Sequence, residues 1–289
     1  MTALRRRAAE SEAEDDWDVD EVEEDEVFED EAAELEQGRE RLALGLLAAT
    51  PLLLAYEGSL LAVGDDRRNM AEVLTSGLLS PLGEHAGWAR LVIWVGVGLA
   101  AAIYCYRRGV ALGPGLLRTL IESGTAALVM GPLLILAGNL FGDGAPPLPL
   151  EEWYPERSPR LSEVAFVAGG AAYEELCFRL AAFSALFVVV RGILTFFGLA
   201  LVPARFAAEV VGLLGSSIGF AALHLDSFTG PLGWEGEAYD ARLFFWRTLA
   251  GMLLFALFRW RGFGVAAWTH ALFNAGLVLG VGPGVFDAP

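Results

Sequence analysis

Residues 173–179 read Tyr-Glu-Glu-Leu-Cys-Phe-Arg, and they sit in the middle of an apolar stretch, 161–190. A charge at bilayer depth costs several kcal/mol, so such residues are paired or functional. Glu175 and Arg179 are four apart, share one helix face and can form an ion pair. Glu174 is turned from Glu175 by about 100°, onto a face that can open into a cavity. Just before it, Gly169, Gly170, Ala171 and Ala172 are small enough to let another helix approach closely. Two of the three histidines also lie in apolar sequence. His224 follows Phe220 by four residues, and His270 precedes Asn274 by four, so each pair shares a helix face. The third, His85, lies in the loop sequence GEHAGW and reads as a solvated surface residue.

Side chains of these types can make a hydrolase. A desolvated glutamate beside a histidine can hold and deprotonate a water. A second histidine with an asparagine can donate to a developing oxyanion. Two histidines and a glutamate are also a zinc set with an open fourth position, although no HExxH occurs. The plainer readings are a helix-locking ion pair for Glu175 and Arg179 and hydrogen-bonded core residues for the two histidines.

The elements that must carry these groups are membrane helices. The chain is 55% hydrophobic over 289 residues, with a mean hydropathy of +0.47, too apolar for a soluble domain of this length. A crossing needs about 20 apolar residues. The segments 42–63, 88–106, 120–141, 161–190, 206–225 and 263–283 meet that length, and 243–258 spans with tilt. Segment 193–203 is too short to cross alone and decides between seven and eight spans. A barrel would need alternating polarity, which these runs lack. The expected fold is an all-α, polytopic helical transmembrane bundle of seven or eight spans.

Residues 8–38 hold seventeen acidic side chains and no basic one, and outside them arginines and carboxylates balance. Residues 1–40 therefore read as an acidic, disordered arm ahead of a helical membrane domain, 41–289. Trp17, Val19, Val22, Val27 and Phe28, dotted through the acid, make that arm a candidate partner-binding segment. With seven spans and the N-terminus in the cytoplasm, twelve arginines fall inside and seven outside, Arg90 and Arg247 among the latter. That balance favours this orientation. The loops 142–160 and 226–242 read as interfacial. Cys105 and Cys177 read as buried small hydrophobes. No nucleic-acid-binding feature is present.

Three ordered motifs carry a resemblance. Glu174-Glu175-Leu-Cys-Phe-Arg179 is an EExxxR, Phe220-Ala-Ala-Leu-His224 an FxxxH, and His270-Ala-Leu-Phe-Asn274 an HxxxN. Together they resemble the CPBP family of type II CAAX prenyl endopeptidases and bacteriocin-processing or abortive-infection-like membrane proteins, over about residues 160–282. The resemblance implies intramembrane endopeptidase activity on a membrane-embedded, lipid-anchored or peptide substrate. It implies that Glu174 activates water with help from His224, that His270 and Asn274 form the oxyanion site, and that Glu175, Arg179 and Phe220 support the architecture. The reading is metal-free, with a divalent metal such as zinc on Glu174, His224 and His270 as the alternative. The Arg-only, Ala/Gly/Leu-rich composition points to a bacterial inner membrane. Competing readings are a non-catalytic scaffold or immunity protein of the same fold and a proton-coupled transporter. Two features sit awkwardly with these expectations. Residues 191–205 lengthen the link between the first two motifs. In a seven-span arrangement His224 falls near the outer end of its helix and His270 nearer the inner side.

Overall fold

The computed structural model describes residues 18–63, 69–72, 77–141, 161–232 and 236–280, with the backbone alone for 18–34, 63, 141, 232 and 280. Its long elements are α1 (Asp18–Val63), α2 (Ala86–Arg107), α3 (Leu112–Phe141), α4 (Leu161–Glu175), α5 (Ser184–Phe196), α6 (Leu201–Ala222), α7 (Ala241–Arg261) and α8 (Phe263–Gly280). A 3-10 stretch, Gly77–His85, leads into α2. The β contact among the described residues is a single parallel bridge between Leu225 and Glu237. The fold class is the all-α polytopic bundle that the apolar runs call for.

Among the described residues, six helical runs are long and apolar enough to cross a membrane: Leu35–Ala62, Gly77–Arg107, Leu112–Leu140, Leu161–Phe196, Leu201–Ala222 and Ala241–Arg261. A seventh, Phe263–Leu279, is shorter; its seventeen residues rise about 26 Å, close to one hydrocarbon thickness when upright. Val92, Leu99, Leu128, Val188 and Phe206 are exposed on these helices. With every backbone hydrogen bond kept inside its own helix, such a face suits hydrocarbon rather than water.

The chain divides into two compact units, Met1–Arg41 and Leu42–Pro289. The acidic arm, expected to be disordered, is helical in backbone from Asp18 on, because Glu, Ala and Leu are among the stronger helix formers. Residues 1–17 of that arm lie outside the described residues, as does the loop 142–160.

Segment 193–203 makes no separate crossing. Residues 193–196 finish α5, and residues 201–203 begin α6. Between them the chain reverses at Gly198, whose φ of 87° is the left-handed conformation that glycine adopts without strain. Pro203 falls in the first turn of α6, where its missing N–H has no intrahelical partner to lose. The long link between the first two motifs is thus a helical hairpin. On α7, the Asp240 carboxylate caps the N-terminus by accepting from Arg242 N (2.8 Å) and Leu243 N (2.9 Å). These bonds, that from Leu243 foremost, hold the Asp240 carboxyl below the usual carboxylate range.

Helix α4 reaches the core because its small residues admit α1. A Cβ on Gly169 would lie 2.3 Å from Tyr56 Cβ and 2.6 Å from the Leu52 carbonyl oxygen. The same layer holds the buried Leu53, Tyr56, Ala171, Ala172 and Tyr173 on one side and Phe263, Ala267 and Ala271 of α8 on the other. Helix α8 meets α1 at a second close approach, Gly45 against Gly264, and Trp268 Nε1 donates to the Ala48 carbonyl at 2.6 Å. Gly169→Ala forces backbone against backbone. It is expected to lower the stability of the detergent-solubilised protein by about 1–3 kcal/mol, read as a fall in its unfolding midpoint. An unchanged midpoint would mean that α1 and α4 stand further apart.

Candidate functional site

The first motif begins at the end of α4 and runs into a π-helical segment, Leu176–Phe183. Such segments interrupt an α-helix locally and are frequent at functional sites. Glu175 and Arg179, both fully buried, still meet: Arg179 Nε lies 3.2 Å from Glu175 Oε2. The guanidinium also donates from Nη2 to the Gly251 carbonyl of α7 at 3.0 Å. Its carbon stands 5.2 Å over the centre of the Phe220 ring, a cation–π distance.

Phe220 has more contacts than a supporting residue needs. Its ring meets His224 edge-on at 5.1 Å and His270 at 5.7 Å, so one aromatic side chain touches a residue of each motif. Its carbonyl oxygen lies 2.8 Å from His224 Nδ1. A carbonyl can only accept, so Nδ1 carries the proton, and neutral His224 keeps its lone pair on Nε2.

His224 lies just past α6 and is held by its backbone. Glu237 N donates to the His224 carbonyl (2.8 Å), and Asp226 N donates to the Glu237 carbonyl (2.9 Å). The Glu237 carboxylate receives both Arg247 nitrogens, at 2.7 and 2.8 Å. Gly236 is required beside this turn, since a Cβ there would lie 2.3 Å from Thr229 Oγ1 and 2.4 Å from Asp226 N. The stretch 226–242, read as an interface loop, thus clamps a site histidine.

His270 stands between the two glutamates. Its Nδ1 is 3.0 Å from Glu175 Oε1 and its Nε2 is 3.5 Å from Glu174 Oε2. Glu174, His224, His270 and Asn274 line one pocket, whose apolar wall includes Met130, Val167, Leu254, Phe273 and Leu277. Glu174 and His270 are buried in its floor. His224 and His270, expected at different depths, both line this pocket, with His224 just past the end of α6. Trp246 and Arg247 complete the lining, and the indole N–H of Trp246 is buried with no partner among the described residues.

Several site residues escape a reading by sequence. Asn69 Nδ2 donates to Glu174 Oε1 at 2.8 Å. Tyr173, next to Glu174, donates its hydroxyl to Glu57 and accepts from Trp94 Nε1 at 2.5 Å. Arg90 reaches Glu57 through Nε at 3.0 Å and Glu72 through Nη1 at 3.0 Å. Arg90 and Arg247, counted above with the outer loops, are each 6% exposed and ion-paired inside the protein. Their signal in the sequence is a carboxylate of matching depth on another segment, which spacing alone does not pair.

A zinc ion would need its ligand atoms about 2.0–2.2 Å from one point. No three His, Cys, Asp or Glu converge in that way among the described residues. His270 turns one nitrogen to each glutamate, and His224 gives Nδ1 to a carbonyl, so the set does not fit a zinc site as arranged.

Arg179→Ala leaves Glu175 buried without its guanidinium. It is expected to cost about 3–5 kcal/mol of stability, and Arg179→Lys is expected to recover little, since a point charge does not replace the planar fork. Unfolding of the purified variants in detergent measures both. A loss under about 1 kcal/mol would mean that the pair is not a structural requirement.

No curated protein and no solved structure matches the chain. Residues 158–276, which hold all three motifs, match the family described as type II CAAX prenyl endopeptidase Rce1-like. Helices α4 to α8 of this integral membrane protein are thus similar to the CAAX protease family.

Proposed function

We propose that the protein is an intramembrane endopeptidase in which Glu174 activates the attacking water. The observation that carries this reading is the facing of Glu174 Oε2 and His270 Nε2 at 3.5 Å on the floor of an apolar-walled pocket that His224 and Asn274 also line. A water held by Glu174 gives it a proton as its oxygen attacks the scissile carbonyl carbon. The oxyanion that forms is met by the Asn274 amide and by Nε2–H of His270 in its imidazolium form, whose Nδ1–H is held by Glu175. The proton taken by Glu174 then passes to the departing amine, with His224 Nε2 assisting the transfer. Each component is of known worth: a positioned acid–base group contributes about 10²–10⁴-fold and an oxyanion donor about 10²–10³-fold. No metal is invoked.

The substrate is a membrane-embedded, lipid-anchored or peptide chain presented at bilayer depth. The apolar lining, with Met130, Leu254 and Phe273, suits an apolar side chain beside the scissile bond. We place the protein in a bacterial inner membrane with its N-terminus in the cytoplasm. With Arg90 and Arg247 removed from the outer loops, the arginine bias toward that orientation widens.

Polypeptide termini mapped in the membranes of cells expressing wild type or Glu174→Gln test the reading. One polypeptide is expected to keep an extra terminal segment only with Glu174→Gln, and His224→Ala to reproduce it. Cleavage by the purified wild type is expected to persist in excess chelator, whereas inhibition relieved by zinc would sink the metal-free form. Unchanged termini with both variants would leave the domain a non-catalytic or transporting role.

A further inference from the structure

We propose that Asn69, outside the family-matched segment, is a positioning residue that fixes which oxygen of Glu174 acts as the base; this rests on the proteolytic reading above. Asn69 cannot present its amide either way round. Its Oδ1 accepts from Ala71 N at 2.9 Å, and a backbone N–H can only donate. The group left to face Glu174 Oε1, at 2.8 Å, is therefore the NH₂. The Asn69 backbone is pinned as well: its N–H donates to Tyr56 Oη at 2.8 Å. Tyr56 is fully buried, stacked on Phe166 at 5.2 Å and tilted against Tyr173 at 5.0 Å.

The partner helix is shaped to receive this amide. A Cβ at Gly170 would lie 2.8 Å from Asn69 Nδ2, so the second glycine of α4 leaves the space that the first leaves for Tyr56. With Oε1 engaged by Asn69, Oε2 is the oxygen that faces His270. Rotation about the terminal carboxylate bond is soft and two-fold, so without a fixed donor the oxygens exchange and the carboxylate turns. A neutral amide stops that rotation without adding a charge at the site. Helices α1 and α2 thereby act on the reaction. Asn69 is held through Tyr56 of α1, while Tyr173, adjacent to Glu174, is held by Glu57 of α1 and Trp94 of α2.

The test uses the full chain in lipid nanodiscs with a pool of internally quenched peptides, from which the one wild type cleaves fastest is taken for kinetics. Asn69→Ala and the isosteric Asn69→Asp, which offers an acceptor in place of the donor, are expected to lower kcat about 10–100-fold with KM changed less than about threefold. Asn69→Gln, which keeps an amide donor, is expected to recover part of the loss at a similar unfolding midpoint. A wild-type kcat in Asn69→Asp would overturn the proposal. A double-substitution cycle on thermal unfolding judges the bond apart from proteolysis. The shifts from Asn69→Ala and Glu174→Ala are expected to be non-additive, and additive shifts overturn the proposal whatever is cleaved. A wild type that cleaves no peptide would count against the proteolytic reading alone, with the cycle still deciding whether Asn69 holds Glu174.

Discussion

Glu175 is a fully buried carboxylate at a depth where water cannot solvate it, and much of the bundle answers to that. One of its oxygens takes Arg179 and the other takes His270. Arg179 in turn reaches the Gly251 carbonyl of α7 and covers Phe220 of α6. A single anion thus ties the π segment to α6, α7 and α8. A buried pair of this kind adds little net stability over apolar residues, but breaking it is costly. Its effect is on specificity: helices that would otherwise slide on apolar faces have one register in which the charge is satisfied.

The same constraint recurs on the other side of α4. Glu57 and Glu72 are fully buried and share Arg90. Tyr173 joins that group through Glu57. The two polar clusters lie on either side of one helix, so α4 is fixed in rotation from both sides. Gly169 and Gly170 make this possible, because only without Cβ atoms do Tyr56 and Asn69 come within reach. Close packing and polar satisfaction are here the same requirement.

The apolar runs were legible in the sequence because hydropathy acts over some twenty residues and local detail averages out. The three motifs were legible because charged and imidazole side chains are rare at bilayer depth. Asn69 was not, since it follows the run Gly-Asp-Asp-Arg-Arg, which reads as a solvated connection. Arg90 and Arg247 misled for a related reason. Each lies near the start of its apolar helix, where an arginine reads as an interfacial anchor, and only the fold brings Glu57, Glu72 and Glu237 to it. The π segment leaves no compositional mark, and the turn that holds His224 depends on the backbone of Glu237, thirteen residues further on. Non-local pairing, more than local propensity, separates what the chain discloses from what it withholds.

Three consecutive side chains, Tyr173, Glu174 and Glu175, show how these constraints become a site. Successive residues on a helix diverge by about 100°, so the three cannot share surroundings. Tyr173 points to Glu57 and Trp94, Glu174 to Asn69 and the pocket, and Glu175 to Arg179 and His270. The outer two are held by their partners and anchor the backbone on both sides of the middle one. Of the two glutamates, Glu174 is the one that no arginine pairs. A carboxylate paired with a guanidinium would be a poor base, and one left loose would be poorly aimed. Flanking it with two engaged neighbours gives it a fixed position while leaving it free of a guanidinium partner.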